Sequence, residues 1–257
     1  MQLTGRRGIT WRTPNVTADA LKIFAGITML IQSIGIIIIE KGIIHLDQYT
    51  QQELSQALAD DSNLMVMAGL GSVLQLLGGL AVPVFAYLLV EGFRNTSSYG
   101  RYLLNIAVFA LLSEVPYDFA MSGKFVDWSR QNALVTMCIC LLMLYFLKMT
   151  GQKKGFVGHG MRLVIVLCAL FWVTIFRAEY GLCMILLVAI FYLLHDRNIL
   201  KTVLGGAVSL LYVTGPLAFY MIWFYDERRK DIMPKYVYYI FYPVHLLVLG
   251  IIAKYYC

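Results

Sequence analysis

Charge is what this chain has least of. Only 14% of its 257 residues are Asp, Glu, Lys or Arg, against 60% hydrophobic residues, where a soluble domain carries about 25% charged ones. That leaves too little polar surface to cover a water-soluble globule, and it excludes a disordered chain, a fibrous repeat and an ordinary cytosolic enzyme. Soluble-enzyme signatures are missing as well: there is no phosphate loop, dinucleotide fingerprint, zinc-binding helix pair or nucleophile elbow. No internal repeat supports an inverted-repeat transporter. The five cysteines (Cys138, Cys140, Cys168, Cys183, Cys257) are odd in number and lack metal-ligand spacing, so they read as packing thiols with no metal site. No basic stripe carries interleaved aromatic residues, which removes nucleic acid as a partner. Residues Met1 to Thr17 hold Arg6, Arg7 and Arg12 but no apolar segment ending in a cleavage site, so no cleaved signal peptide is expected.

What the chain has is apolar runs, and their number predicts an all-α polytopic transmembrane bundle. A helix crosses the hydrocarbon core with about 20 apolar residues. Eight spans are expected: Ala18–Ile39, Leu64–Val90, Tyr102–Ala120, Asn132–Leu147, Leu163–Phe176, Tyr180–Leu194, Val203–Phe224 and Tyr236–Ala253. No stretch is left for a soluble domain, so residues 1–257 form one membrane-embedded domain surrounded by membrane lipids. The run from Leu64 to Val90 holds Gly69, Gly71, Gly78, Gly79 and Pro83. It is either one kinked helix or a re-entrant half-helix leading into a span. Two runs, Leu163–Phe176 and Tyr180–Leu194, are short for a bilayer, so their connection must dip into the membrane or line a cavity. A short surface helix is expected at Gln51–Ala59.

The net charge of +6 fits an excess of Lys and Arg on cytoplasmic loops. Eight spans with the N-terminus inside place 13 Lys/Arg within and 8 outside, which predicts an inner-membrane protein with both termini cytoplasmic. The basic loop Tyr225–Lys235 is the exception. It is read either as internally paired or as a rim for anionic headgroups.

Ionisable groups inside a membrane are costly and mark a site or a pair. His245, beside Pro243 in Phe241-Tyr242-Pro243-Val244-His245-Leu246, lies about 13 Å into the last span at 1.5 Å per residue. It is a candidate general base; otherwise it is a satisfied core histidine. Glu114 and Asp118, four residues apart, share a helix face and can hold a cation, share a proton or clamp a basic partner; paired with Arg177 or Arg130 they would only fasten the helix ends. Glu91 reads as an interfacial partner of Arg94 or Arg101, and Asn132 as a helix cap. Arg177 and Glu179 share a short turn, as a local salt bridge or as part of an outer cavity. Gln32 and Ser33 sit in the outer half of the first span, where bonds between helices are the default role. Tyr236, Tyr238, Tyr239 and Tyr242 read first as an aromatic belt.

Several strings together resemble the TraX family. They are Leu21-Lys22-Ile23 with Thr28-Met29-Leu30-Ile31, Pro83 through Phe93 with its Val90-Glu91-Gly92-Phe93, and Phe109 through Asp118 with Ser113-Glu114-Val115-Pro116-Tyr117-Asp118. Gln131-Asn132, Tyr180-Gly181 and Lys235 through Leu246 complete the set, so the likeness runs from about Ala20 to Ile252. The family is named for a protein that acetylates the N-terminus of F-type pilin. The resemblance implies an acyltransferase that takes an acetyl or acyl group from acetyl-CoA and gives it to an amine or hydroxyl acceptor, and a peptide, a glycan or a membrane-protein partner is expected. It implies His245, Glu114 and Asp118 as catalytic residues, with Gln32, Ser33, Glu91, Asn132, Arg177 and Tyr242 binding substrate. Where the family pattern carries Asp and His in the first span and Arg before the second, this chain has Gln32, Ser33 and Gly79. Loss of all three together is the pattern of one site given up. A non-catalytic membrane protein that keeps the fold and binds a peptide, a lipid or a membrane-protein partner is therefore the alternative, and a proton-coupled transporter a third reading.

Overall fold

A computed structural model of the chain describes residues 16–151, 155–225 and 234–257. Arg6, Arg7 and Arg12, and Arg228, Arg229 and Lys230 of the basic loop, lie outside the described residues. Among those described the chain forms helices and no named strand. It is an all-α bundle, and six of its helices are long and apolar enough to cross a membrane.

Helix α1 (Ala18–Ser33) starts where the Thr17 hydroxyl accepts from the Ala20 N–H at 3.2 Å, with Asp19 in the positive first turn. The rod continues as a π-helix over Ile34–Ile43. Gly35 permits its close packing, since a Cβ there would lie 3.0 Å from the Gly71 carbonyl. Helix α2 (Gln51–Asp60) is a surface segment closed by a Thr50–Glu53 capping box. Helices α3 (Ser62–Gly78) and α4 (Ala81–Asn95) join through Gly79 and Leu80, both with right-handed helical backbone. The run therefore forms one kinked rod rather than a half-helix and a span.

Helix α5 (Tyr99–Ser122) stops at Gly123, whose φ of 70° suits glycine. Helix α6 (Ala133–Thr150) is capped by the Asn132 side chain, which accepts from the Leu134 N–H at 2.9 Å. Helix α7 (Gly155–Ile175) begins eight residues before the expected Leu163, so it is not short. Its outward face, with Leu163, Leu167, Phe171 and Trp172 exposed, is apolar enough to meet lipid. Helix α8 (Gly181–Leu193) is short, as expected.

The expected span Val203–Phe224 does not exist as one helix. Helix α9 (Asn198–Ser209) leads into single turns at 210–217, and α10 (Ala218–Trp223) doubles back beside it. Trp223 Nε1 donates to Thr202 Oγ1 at 2.7 Å, which ties the end of α10 to the start of α9. Val213 makes the bend with φ 46° and ψ −61°, a strained geometry for a β-branched residue. The chain thus turns back on itself at 198–223 rather than near Gly79. Gly79 instead receives the apex, where a Cβ would lie 2.6 Å from the Tyr212 carbonyl.

This hairpin changes the path of α11 (Lys235–Tyr256). Tyr225 returns beside Val16, and the Tyr238 hydroxyl donates to Asp19 at 3.0 Å. At the other end Gly42 lies against Ala253 and Cys257. Helix α11 runs parallel to α1, so Val16 and Cys257 lie at opposite ends of the bundle, here called the N-face and the C-face. Two cytoplasmic termini do not agree with this arrangement. The error came from counting Val203–Phe224 as a full crossing.

Candidate functional site

A cavity of about 650 Å³ opens between α1, α4, α5, α6, α8 and α11. On α1 its lining is Ala18, Lys22, Gly26, Met29 and Gln32, one helical face. Fourteen residues at 1.5 Å each make it about 21 Å deep along that helix. Its composition changes with depth. Toward the N-face stand Lys22, Glu91, Asn95, Ser97, Ser98 and Arg101; Met29, Val82, Phe85, Leu89, Leu134 and Met184 form an apolar middle; Gln32, Thr136, Glu179, Tyr180 and Tyr242 close the deep end.

The deep end is built by a strained turn. Arg177 and Tyr180 both hold positive φ, 47° and 59°, a conformation that persists only where surroundings enforce it. Here the loop before α6 does so: Gln131 N–H donates to the Arg177 carbonyl at 3.5 Å, and Glu179 N–H to the Gln131 carbonyl at 3.0 Å. The Thr136 hydroxyl then donates to the Glu179 carbonyl at 2.6 Å. Glu179 faces the cavity, while Arg177 is exposed and does not line it. Burial pushes the Glu179 carboxyl up to about 7, with the Tyr180 hydroxyl and the Arg130 charge holding it back. A carboxyl poised near neutrality beside a cavity can take and return a proton.

His245 lies elsewhere. It is buried, its ring stacked on Phe241 and edge-on to Tyr242, and it does not line the cavity. Its Nδ1 lies 2.8 Å from the Phe241 carbonyl. A carbonyl only accepts, so Nδ1 carries the proton, and Nε2 accepts from the Ser33 hydroxyl at 3.3 Å. Both ring nitrogens are thus used within the helix pair. Ser33 is also the residue where α1 gives way to the π-helix.

Glu114 and Asp118 form a bracket rather than a pocket. Asn132 donates to the Ala110 carbonyl at 2.9 Å and to Glu114, while Asp118 accepts from the Asp127 N–H at 2.8 Å. Together they fasten α5 to the loop before α6. Among the described residues neither carboxylate pairs with Arg130 or Arg177, and Glu179 does not pair with Arg177. Glu91 likewise makes no ion pair with Arg94 or Arg101. Of the expected site residues, Gln32, Glu91 and Tyr242 line the cavity. Tyr180, Thr136, Asn95 and Arg101 line it without having been singled out as binding groups. Helical spacing could have found Arg101, since Arg101, Tyr102 and Asn105 follow the face of α5 that meets the cavity, whereas Tyr180 lies in a turn and no periodicity marks it.

A family model named TraX protein matches residues 17–253. The chain is also similar to the probable fimbrial assembly protein FimC, serogroup H1, of Dichelobacter nodosus, with 24% identity over 198 residues, 68% of this chain and 81% of that protein. No solved structure matches.

Proposed function

The chain belongs to the TraX family of membrane proteins, and from that premise we propose that it is an acyltransferase carrying an acetyl or acyl group from acyl-CoA to an amine or hydroxyl acceptor. The observation that carries this reading is the cavity's gradient from a basic polar mouth through an apolar middle to a carboxylate and tyrosine hydroxyls. An acyl-CoA has the matching order: anionic phosphates, a narrow arm, then the thioester.

Orientation follows from charge. Eight described Lys/Arg (Lys22, Arg94, Arg101, Lys148, Arg162, Arg197, Lys201, Lys235) lie toward the N-face against five (Lys41, Lys124, Arg130, Arg177, Lys254) toward the C-face. Such a bias supports a cytoplasmic N-face in an inner membrane. Acyl-CoA then enters from the cytoplasm, and the acceptor meets it near Glu179. The similarity to a fimbrial assembly protein supports an exported peptide subunit as acceptor.

In the transfer, Glu179 takes the proton as the acceptor nitrogen or oxygen bonds to the acyl carbon. The Tyr242 hydroxyl donates to the carbonyl oxygen as it gains charge, while the Tyr180 hydroxyl holds the Glu179 carboxylate. The carbon–sulfur bond breaks, and Glu179 returns the proton to the departing thiolate. Amide or ester and free CoA thiol form in equal amounts.

A non-catalytic membrane partner is the second reading, and the closed Ser33–His245 pair favours it. Proteoliposomes given acetyl-labelled acetyl-CoA and a peptide with a free N-terminus separate the two. Acyl transfer predicts labelled peptide and equimolar thiol, both reduced about a hundredfold or more in Glu179→Gln. A folded wild-type sample that makes neither favours the partner reading.

A further inference from the structure

Glu91 sits in the wall of the cavity and is only 6% exposed. One of its oxygens accepts from Asn95 Nδ2 at 3.3 Å, and the other, Oε1, is buried with no partner. A carboxylate in that state calls for donors it does not have. Neither neighbouring arginine supplies them. Asn95 donates one of its two amide N–H groups to Glu91, which leaves its carbonyl oxygen and its second N–H for another partner. The acceptors of the Glu91–Asn95 pair, Glu91 Oε1 and the Asn95 carbonyl, therefore outnumber its one remaining donor, one turn in from the mouth where Arg101 stands.

The glycine after Glu91 adds to the shape. A Cβ on Gly92 would lie 2.7 Å from the Tyr102 hydroxyl, so glycine lets α5 pack close and keeps this stretch narrow. The next residues inward are apolar, Leu88 and Leu89 on α4 with Ile106 on α5. A ligand that satisfies this wall carries an anionic group at Arg101, an N–H donor about a turn deeper, and an uncharged narrow continuation.

We infer that Glu91 and Asn95 hold an amide N–H of the phosphopantetheine arm of the acyl donor, with Arg101 on its phosphate; this rests on the acyl-CoA reading above. Glu91 is a positioning residue that sets how far the thioester reaches toward Glu179. Its partner on the ligand is an N–H, so replacing that amide by an ester, which has no donor, removes the interaction without touching the protein.

The test is titration calorimetry on the full chain in detergent with acetyl-CoA, S-acetyl-pantetheine, and S-acetyl-pantetheine analogues in which either amide N–H is an ester oxygen. Wild type is expected to bind one ester analogue about tenfold or more weakly than its amide parent, the size of a hydrogen bond to a charged group. In Glu91→Gln that amide-to-ester ratio is expected to fall severalfold, and Arg101→Ala is expected to weaken acetyl-CoA while leaving S-acetyl-pantetheine unchanged. Equal binding of amide and ester analogues to wild type overturns the inference without any variant having to fold. An unchanged ratio in a folded Glu91→Gln also overturns it while leaving the acyl-CoA reading intact. Absence of binding by acetyl-CoA and S-acetyl-pantetheine to folded wild type overturns both.

Discussion

Replacing Glu179 by Gln should remove a pH dependence that the fold itself creates. The carboxyl moves from an ordinary 4.5 to about 7 because burial disfavours its charged form. A raised carboxyl contributes stability that is complete below its unfolded pKa and is lost as pH rises through its folded one. At 1.36 kcal/mol per unit the full shift amounts to about 3 kcal/mol, and water reaching the half-buried side chain through the cavity reduces that to about 1–2 kcal/mol. Thermal unfolding in detergent, followed by intrinsic fluorescence from pH 4 to pH 8.5, reads it directly. Wild type and Glu179→Gln should have similar Tm near pH 4, below the unfolded pKa. Above pH 7 the variant should be the more stable by a few degrees, having no carboxylate to desolvate. A difference in Tm that does not change with pH would refute the argument. Acyl transfer should show the opposite trend, rising through pH 7 as the base form accumulates.

Gly79→Ala should lower Tm by the equivalent of about 1–3 kcal/mol, because the new methyl meets the Tyr212 carbonyl rather than a yielding side chain; an unchanged Tm would mean that the hairpin apex is not seated there. Asn132→Ala removes the cap of α6 together with the donor to the Ala110 carbonyl and to Glu114. It should cost about 1–3 kcal/mol, measured as denaturation midpoint. In right-side-out vesicles of a Cys168→Ser variant, an impermeant maleimide should label exposed Cys257; protection until the vesicles are opened would reverse the topology.

Much of the bundle was legible because its signal is a length of apolar chain, and α1, α5, α6 and α11 fall close to where the runs predicted. The segment 203–224 failed for a physical reason. Composition registers that it is apolar, but the bend at Val213 and the pairing of Thr202 with Trp223 are tertiary features. One miscounted crossing then moved the C-terminus to the wrong face. The site was legible in part for a related reason. A rare ionisable residue in a span signals importance without saying whether its partner is a ligand or the fold. His245 is satisfied by Ser33 and Phe241; Glu114 and Glu91 each keep one oxygen without a partner, but of the two only Glu91 lines the cavity. Glu179 stood in view beside Arg177, but only the strained turn shows that it points inward and its neighbour outward.

The central claim is that the cavity accepts an acyl-CoA, and thermal stability of the detergent-solubilised chain with and without acetyl-CoA tests it most directly. Ligand at a hundred times its Kd stabilises the folded state by about 2.7 kcal/mol, an upward shift of several degrees that adenosine nucleotides alone should not reproduce. No shift at millimolar acetyl-CoA, in a sample that unfolds cooperatively, would contradict the account and leave a non-catalytic membrane partner protein of the TraX family.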